Sequence, residues 1–378
     1  MKKFAIITHT IHKIRNHKVY AYEPYVREMN LWFNYVKEVK VVAPISNKAI
    51  ENNEALYLHS KLEIKNIPPF DVLSFKNAIK SVFKIPYISI KIFKAMQWAD
   101  HIHLRCPGNI GLLGCFIQIL FPKKPKTIKY AGNWDANSKQ PWSYKLQKWI
   151  ISNTFLTKNC KVLVYGNWDN QSKNIVPFFT ASYSNVEKEI MSKTIAAKNK
   201  PLQLIFVGAF TKGKQPLLAV KTVKQLKEKG HQVHLNMYGD GNEKQNVVSY
   251  IKKNNLNNEV TLHGNVNQQL VKEGFKKAHF LIFISQSEGW PKVVAEAMFW
   301  GCVPITSKVS CVPMMVDNGS RGKLVSTDAE AVNAIENYIN NPNEFRQHSE
   351  AAQQWSQNYT IEKFDAEIGK VLNSFNAK

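Results

Sequence analysis

Short apolar runs alternate with longer amphipathic stretches along this chain. Lys3–Thr8, Val39–Ala43, His101–Leu104, Thr127–Ala131 and Val162–Tyr165 read as short buried strands. Helical patterns lie between them, near Tyr22–Tyr35, Val72–Trp98, Ile110–Phe121 and Trp142–Lys158. Such alternation predicts a parallel sheet with helices on both faces. From about Phe178 the pattern lapses into polar sequence, and residues 181–200 read as a linker. The scheme then resumes. Leu202–Val207, Val233–Tyr238, Val260–His263, Phe280–Ile284 and Val303–Ile305 read as strands, with helices at Pro216–Lys229, Asn242–Asn254 and Lys292–Trp300. Beyond Asp328 the tail reads as helical throughout, its last part (358–378) packing back toward the N-terminal domain. The expected fold class is α/β: two doubly wound, Rossmann-like domains, 1–180 and 201–357, facing each other across a cleft. Ligands of such folds bind at the carboxyl ends of the strands.

The chemistry concentrates in Ser287–Met298. Glu288 follows an apolar run that reads as a buried strand, and Glu296, eight positions on, lies inside an Ala-rich helix. Gly289 and Pro291 break the chain between them, and proline suits the first turn of a helix because it has no N–H to lose there. The N–H groups of Lys292, Val293 and Val294 should then be unpaired and aimed at the strand end, an anion site. Flanking carboxylates that accept bonds from hydroxyls suit a ligand both phosphorylated and polyhydroxylated. A nucleotide-sugar fits.

Composition narrows the picture. At 378 residues the chain is long enough for two domains. Its start, Met1 to Thr10, has too short an apolar core for a signal peptide, and Ile110–Phe121 is too short to span a bilayer. A cytoplasmic location is expected. Five scattered cysteines without a C-x-x-C pair read as reduced structural thiols. The close pairs His9/His12 and His101/His103 lack the partners a metal needs, so no metal is expected. The net charge of +23 is uneven: residues 1–180 hold 27 Lys+Arg against 10 Asp+Glu, and the remainder 24 against 18. The N-terminal half therefore faces something anionic. In Phe75–Trp98, Lys76, Lys80 and Lys84 fall on one helical face beside Phe83 and Tyr87, the composition of a helix lying on a membrane surface.

Val207-Gly208-Ala209-Phe210-Thr211-Lys212-Gly213-Lys214, then Tyr238-Gly239-Asp240-Gly241, then Glu288…Glu296 closing on Gly301, resemble the retaining GT-B glycosyltransferases of family 4 (glycosyl transferases group 1), bacterial polysaccharide type. The resemblance is specific over roughly residues 200–325. It implies that Glu296 accepts bonds from the donor ribose and that Glu288 holds hydroxyls of the transferred sugar. It further implies that backbone around Gly289, Trp290, Pro291, Lys292, Val293 and Val294 binds sugar and diphosphate oxygens. Lys214 would neutralise the departing diphosphate, with Gly208 and Lys212 in the same loop. Gly239, Gly264 and Val266 would line the donor pocket. No metal or other cofactor is implied.

The chain departs from the family pattern in three places. Ala209 stands where an arginine is frequent, Thr8–Lys13 replaces an N-terminal glycine-rich loop, and Tyr130–Asp135 occupies the region of an acceptor-side histidine. His9, Arg105, Asn133 and Asp135 are the acceptor-side candidates. The expected partners are a nucleotide-sugar, a glycan or lipid-linked acceptor, and an anionic membrane surface. A nucleotide-sugar isomerase on the same fold would need further carboxylates or histidines to move a ring proton. A basic nucleic-acid-binding protein would need an RNA- or DNA-binding signature that this sequence lacks.

Overall fold

The computed structural model describes residues 2–51, 53–69, 83–195 and 200–375. The chain divides into two compact units, Met1–Phe179 with Phe364–Lys378, and Thr180–Lys363. No helix among the described residues is long and apolar enough to cross a membrane.

The first unit is built on a seven-stranded sheet in the order β10-β9-β8-β7-β1-β4-β6. Its strands are β1 (Lys3–Ile7), β4 (Glu38–Ala43), β6 (Leu62–Asn66), β7 (His101–Cys106), β8 (Lys126–Tyr130), β9 (Cys160–Tyr165) and β10 (Ile175–Phe178), every pair parallel. Helix α1 (Glu23–Phe33) buries Trp32 and Phe33. Helices α2 (Ile85–Trp98), α3 (Asn109–Ile117) and α4 (Trp142–Ser152) share one core, in which Ile88, Ile92, Ile110, Cys115, Ile150 and Ile151 meet the sheet. The expected helix start at Val72 lies outside the described residues.

A small antiparallel sheet, β2 (His12–Arg15), β3 (Lys18–Tyr22) and β5 (Glu54–Leu56), was not legible in the sequence. Its hairpin turns at Asn16 and His17, both with positive φ (48° and 60°). A two-residue turn with both φ values positive is normally announced by Asn-Gly, and His17 hides that signal. The C-terminal helix α12 (Ile361–Asn373) joins this unit from Phe364 onward. There Tyr35 Oη donates to the Asp365 carbonyl at 2.9 Å.

The second unit has a six-stranded parallel sheet in the order β13-β12-β11-β14-β15-β16. The strands are β11 (Leu202–Val207), β12 (Val233–Tyr238), β13 (Val260–Gly264), β14 (Phe280–Phe283), β15 (Val303–Thr306) and β16 (Lys323–Leu324). The helices are α5 (Pro216–Glu228), α6 (Lys244–Lys253), α7 (Gln268–Lys277), α8 (Lys292–Phe299), α9 (Val312–Met315), α10 (Asp328–Asn340) and α11 (Pro342–Ser356). Numbered within the unit, the order is 3-2-1-4-5-6. The topological switch point therefore falls between β11 and β14, where loops leaving adjacent strands part to opposite faces and leave a crevice.

The segment read as a linker packs within this second unit. The Lys193 ammonium is buried and donates to the Phe275 carbonyl at 2.7 Å and to the Ala278 carbonyl. Tyr183 packs against Phe299 and Trp300.

Candidate active site

At the switch point of the second sheet two expected residues meet. Lys214, in the loop after β11, places Nζ 2.5 Å from Glu288 Oε1, in the loop after β14. The loops are held in register by the Gly213 carbonyl, which accepts from Gln286 N at 2.8 Å and from Ser285 Oγ at 3.1 Å. Ser285 Oγ also lies 2.6 Å from Glu288 Oε1, and the Ser285 carbonyl accepts from Ser307 Oγ at 2.6 Å. The Glu288 carboxylate is 9% exposed and the Lys214 side chain 29%, so water reaches this pair mainly from the lysine side. A carboxylate that enclosed would be costly to bury without the cation and hydroxyl that partner it. Ser285 and Ser307 carry no sequence motif of their own. The Ser285-x-x-Glu288 spacing was the one available signal.

Glu296 lies on α8, whose Val294, Ala297, Met298 and Phe299 are buried. Each fully buried large side chain among them contributes about 1.5–3 kcal/mol, which fixes the helix and the carboxylate it carries. The helix α11 straps it from outside: Ser356 Oγ donates to the Ala295 carbonyl and Ser349 Oγ to the Gly301 carbonyl, both at 2.6 Å. Glu296 faces a small recess, partly open to solvent, lined by Thr180–Tyr183, Trp290, Lys292, Ser356 and Tyr359. Ser182 Oγ is 2.5 Å from Glu296 Oε1. Burial, with the Glu296 charge beside it, pushes the Tyr183 hydroxyl well above its ordinary pKa. Ser182 lies in the stretch read as a linker, and nothing in the sequence marked it.

Between the two carboxylates the structure corrects the expected N–H array. Pro291 occupies the N-cap position rather than the first helical turn, and Val294 N–H donates to the Pro291 carbonyl at 2.9 Å. A tight first turn of this 3₁₀ type satisfies an otherwise orphaned donor, so Val294 is withdrawn from the anion site. Gly289 is tethered through its carbonyl, which accepts from Ser310 Oγ at 2.8 Å and Cys311 Sγ at 3.4 Å. The Trp290 ring stacks with Trp355 and lies beside Tyr359. Val293 is buried.

The glycine loops form a backbone shelf at the other strand ends. Gly208 N–H donates to the Tyr238 carbonyl at 2.9 Å, and Gly239 N–H to the Gly264 carbonyl at 2.8 Å. A Cβ on Gly239 (φ +136°) would stand 2.0 Å from the Gly208 carbonyl oxygen, so only glycine lets these loops touch. Asp240 holds the turn, accepting from Gly241 N at 2.7 Å and Lys244 Nζ at 2.6 Å. Lys212 is exposed at the loop tip, and Val266 is half-buried beyond β13. His263 stacks on Tyr238, with ring centroids 4.4 Å apart.

In the first unit His9 also sits at a switch point, in the loop between β1 and the start of β2. A Cβ on Gly108, in the loop after the neighbouring β7, would stand 2.9 Å from His9 Nδ1. Burial and the Arg105 charge both push the His9 imidazole below its ordinary pKa. Arg105 itself turns to an enclosed ion pair with Glu28 at 2.9 Å. Asn133 and Asp135 shape their own loop: Asn133 Oδ1 accepts from Asp135 N, and Asp135 Oδ1 from Asn137 N, both at 2.9 Å. His12 is buried and bonded to Tyr57 Oη at 2.9 Å. His101 Nε2 and His103 Nδ1 share the Thr127 hydroxyl at 2.9 and 2.8 Å. All five cysteines are buried thiols outside any disulfide. Lys76 and Lys80 lie outside the described residues.

Residues 187–355 match the family of glycosyl transferases group 1. An uncharacterized glycosyltransferase of Haemophilus influenzae is 27% identical over 188 residues, covering 48% of this chain and 52% of its own. The chain thus spans about half the length of the curated relative it matches. Sucrose-phosphate synthase from Thermosynechococcus elongatus superposes with a TM-score of 0.69 at 15% identity, covering 100% of both chains. HepE of Anabaena, solved with UDP and glucose, gives 0.69 at 15% identity over 99% of this chain and 100% of its own. Pneumococcal O-GlcNAc transferase GtfA, in complex with UDP and GlcNAc, gives 0.59 at 13% identity over 79% and 61%. These likenesses establish the expected GT-B fold.

Proposed function

We propose that this protein is a retaining glycosyltransferase of family 4 that moves a sugar from a nucleotide-sugar to a hydroxyl of a glycan or lipid-linked acceptor, in bacterial surface polysaccharide assembly. The Lys214–Glu288 pair at the switch point, with Glu296 on the helix that follows, carries this reading. The group 1 match over residues 187–355 supports it. Because HepE and GtfA were solved with UDP, a UDP-sugar is the first donor to test.

Glu296, held by Ser182, accepts from the ribose hydroxyls. Lys214 exchanges Glu288 for the donor diphosphate and neutralises it as it leaves, freeing Glu288 to accept from a hydroxyl of the sugar. The bond from the anomeric carbon to the diphosphate breaks while the acceptor oxygen bonds the same face. The acceptor proton passes to the departing phosphate oxygen. Such a site works through orientation and charge stabilisation, and each preorganised donor is worth about 2.7–4 kcal/mol in the transition state. His9 is assigned to the acceptor side, with Arg105, Asn133 and Asp135 shaping the loops around it.

A thermal-shift screen over UDP-, GDP-, ADP- and CDP-sugars tests the reading, because a ligand that binds only the folded state raises its apparent stability. A shift with one nucleotide series, followed by acceptor-dependent release of that nucleoside diphosphate, is the expected result. No shift with any of them, or epimerised donor without transfer, would overturn it.

A further inference from the structure

The outer surface of the helix layer formed by α2, α3 and α4 has an unusual composition. On α2, Phe83 (just before the helix), Tyr87, Ile90 and Phe93 are exposed and recur at helical spacing, while Ile88, Ile92 and Met96 on the opposite side enter the core. A helix apolar on both sides is ordinarily buried on both. The pattern repeats on α4, where Trp142 is 73% and Trp149 61% exposed while Ile150 and Ile151 are buried. Phe116 on α3 and Phe155 after α4 are likewise exposed. Neighbouring helices of this layer pack side by side, so these stripes belong to one surface. Of the eight exposed phenylalanine, tyrosine and tryptophan side chains among the described residues, seven lie here, so the aromatic exposure is local rather than general.

Charge on the same surface has one sign. Helices α2, α3 and α4 carry Lys91, Lys94, Lys145 and Lys148 and no carboxylate, and Lys84 and Lys158 flank them. Lysines accompany the rings: Lys91 Nζ is 5.3 Å from the Tyr87 centroid and Lys158 Nζ 4.8 Å from that of Phe155. Aliphatic stems along rings, with the ammonium outward, are the arrangement by which lysine serves an apolar–polar boundary. A second copy of the chain is a poor occupant, since a two-fold contact would set this positive surface against itself. A soluble acidic glycan would use the lysines but leave Phe83, Ile90 and Phe116 in water.

We propose that the α2–α3–α4 face of the first unit docks on an anionic bilayer, its aromatic side chains entering the headgroup layer and its lysines meeting lipid phosphates. The amino ends of α3 and α4 follow β7 and β8, so Trp142 lies toward the carboxyl edge of the sheet, where the His9 and Asn133 loops also lie. A protein docked this way presents that edge near the membrane plane. The inference rests on this surface alone and stands whatever the donor proves to be.

The test is co-sedimentation of the full chain with phosphatidylglycerol vesicles and with pure phosphatidylcholine vesicles, at low and high salt. The expected result is at least tenfold stronger partition onto phosphatidylglycerol, weakened by salt, with a blue shift of tryptophan emission that Trp142→Phe/Trp149→Phe diminishes. Lys91→Glu/Lys94→Glu/Lys145→Glu and, separately, Phe83→Ser/Trp142→Ser/Trp149→Ser should each reduce partition at least tenfold. Thermal midpoint and response to the nucleotide-sugar should stay unchanged, since all six positions are far in sequence from the donor loops. Equal partition onto both lipids would overturn the proposal. So would loss on lysine reversal with none on aromatic removal, which would point to a soluble polyanion. A wild-type dimer in sedimentation equilibrium that the aromatic variant dissociates would assign the face to a second copy instead.

Discussion

Lys214 and Glu288 stand 74 positions apart, yet Nζ and Oε1 are 2.5 Å from each other. Adjacent parallel strands β11 and β14 bring their loops together at the point where the strand order reverses. Each residue is the other's counter-charge in a half-enclosed site, and in the proposed mechanism the donor parts them.

Lys214→Met and Glu288→Gln should each lower kcat/KM at least a hundredfold, and each should leave the partner charge uncompensated. The double variant should therefore lose less than the sum of the single losses, with a coupling of about 1–3 kcal/mol. Steady-state kinetics on the four proteins measure this. Strictly additive effects would mean that the two groups act independently.

Ser182→Ala should raise KM for the nucleotide-sugar about five- to tenfold with kcat little changed, because it removes a bond worth about 1 kcal/mol that orients Glu296. Glu296→Gln should be more severe, and Ser182→Thr should restore much of the loss. A kcat effect from Ser182→Ala with KM intact would place Glu296 nearer the reacting carbon than the ribose.

Turnover should survive excess EDTA. In the proposed site Lys214 and the start of α8 supply the positive charge that a divalent cation would otherwise bring to the diphosphate. Loss of activity restored by magnesium or manganese would contradict that arrangement.

The first unit should lose stability in mild acid. Burial pushes His12 down to about 4. Burial, then the Arg105 and Lys129 charges, push His103 down to about 3. Unfolded, both titrate near 6.5. Below that pH the unfolded chain binds more protons, so stability declines from about 6.5 downward until the folded imidazoles themselves protonate. At pH 5 each histidine should cost about 2 kcal/mol. Urea midpoints between pH 7.5 and 5 measure the slope, and His103→Gln should flatten it. A flat wild-type profile would mean that these imidazoles are no less basic folded than unfolded.

Gly239→Ala should destabilise the second unit or prevent its folding, since the new methyl would lie 2.0 Å from the Gly208 carbonyl oxygen. Gly213→Ala, where nothing lies within 4 Å of a Cβ, is the matched control and should cost little. Comparable thermal midpoints for the two variants would show that the loops can part without penalty.

Local chemistry made much of this legible in advance. Apolar runs of strand length between amphipathic stretches specify parallel sheets, because strands covered on both faces by helices leave no polar periodicity. Glu288, Gly289, Pro291 and Glu296 announced a loop entering a helix because glycine frees the backbone and proline fixes φ wherever they occur. The hairpin at Asn16–His17 escaped because its turn uses residues that tolerate positive φ without advertising it. Tertiary structure alone decided which groups share a carboxylate. The Lys214 ammonium reaches Glu288 from 74 positions away and the Ser182 hydroxyl reaches Glu296 from 114, while Ser285 joins Glu288 from three residues before it. Strand order sets that convergence, and strand order is a non-local choice. Exposure is non-local as well: nothing in the sequence separates the exposed Trp142 and Trp149 from the buried Ile150 and Ile151 beside them. Only the packing of α2, α3 and α4 on the sheet leaves their outer faces uncovered, because one helix layer can bury only the side it turns toward the strands.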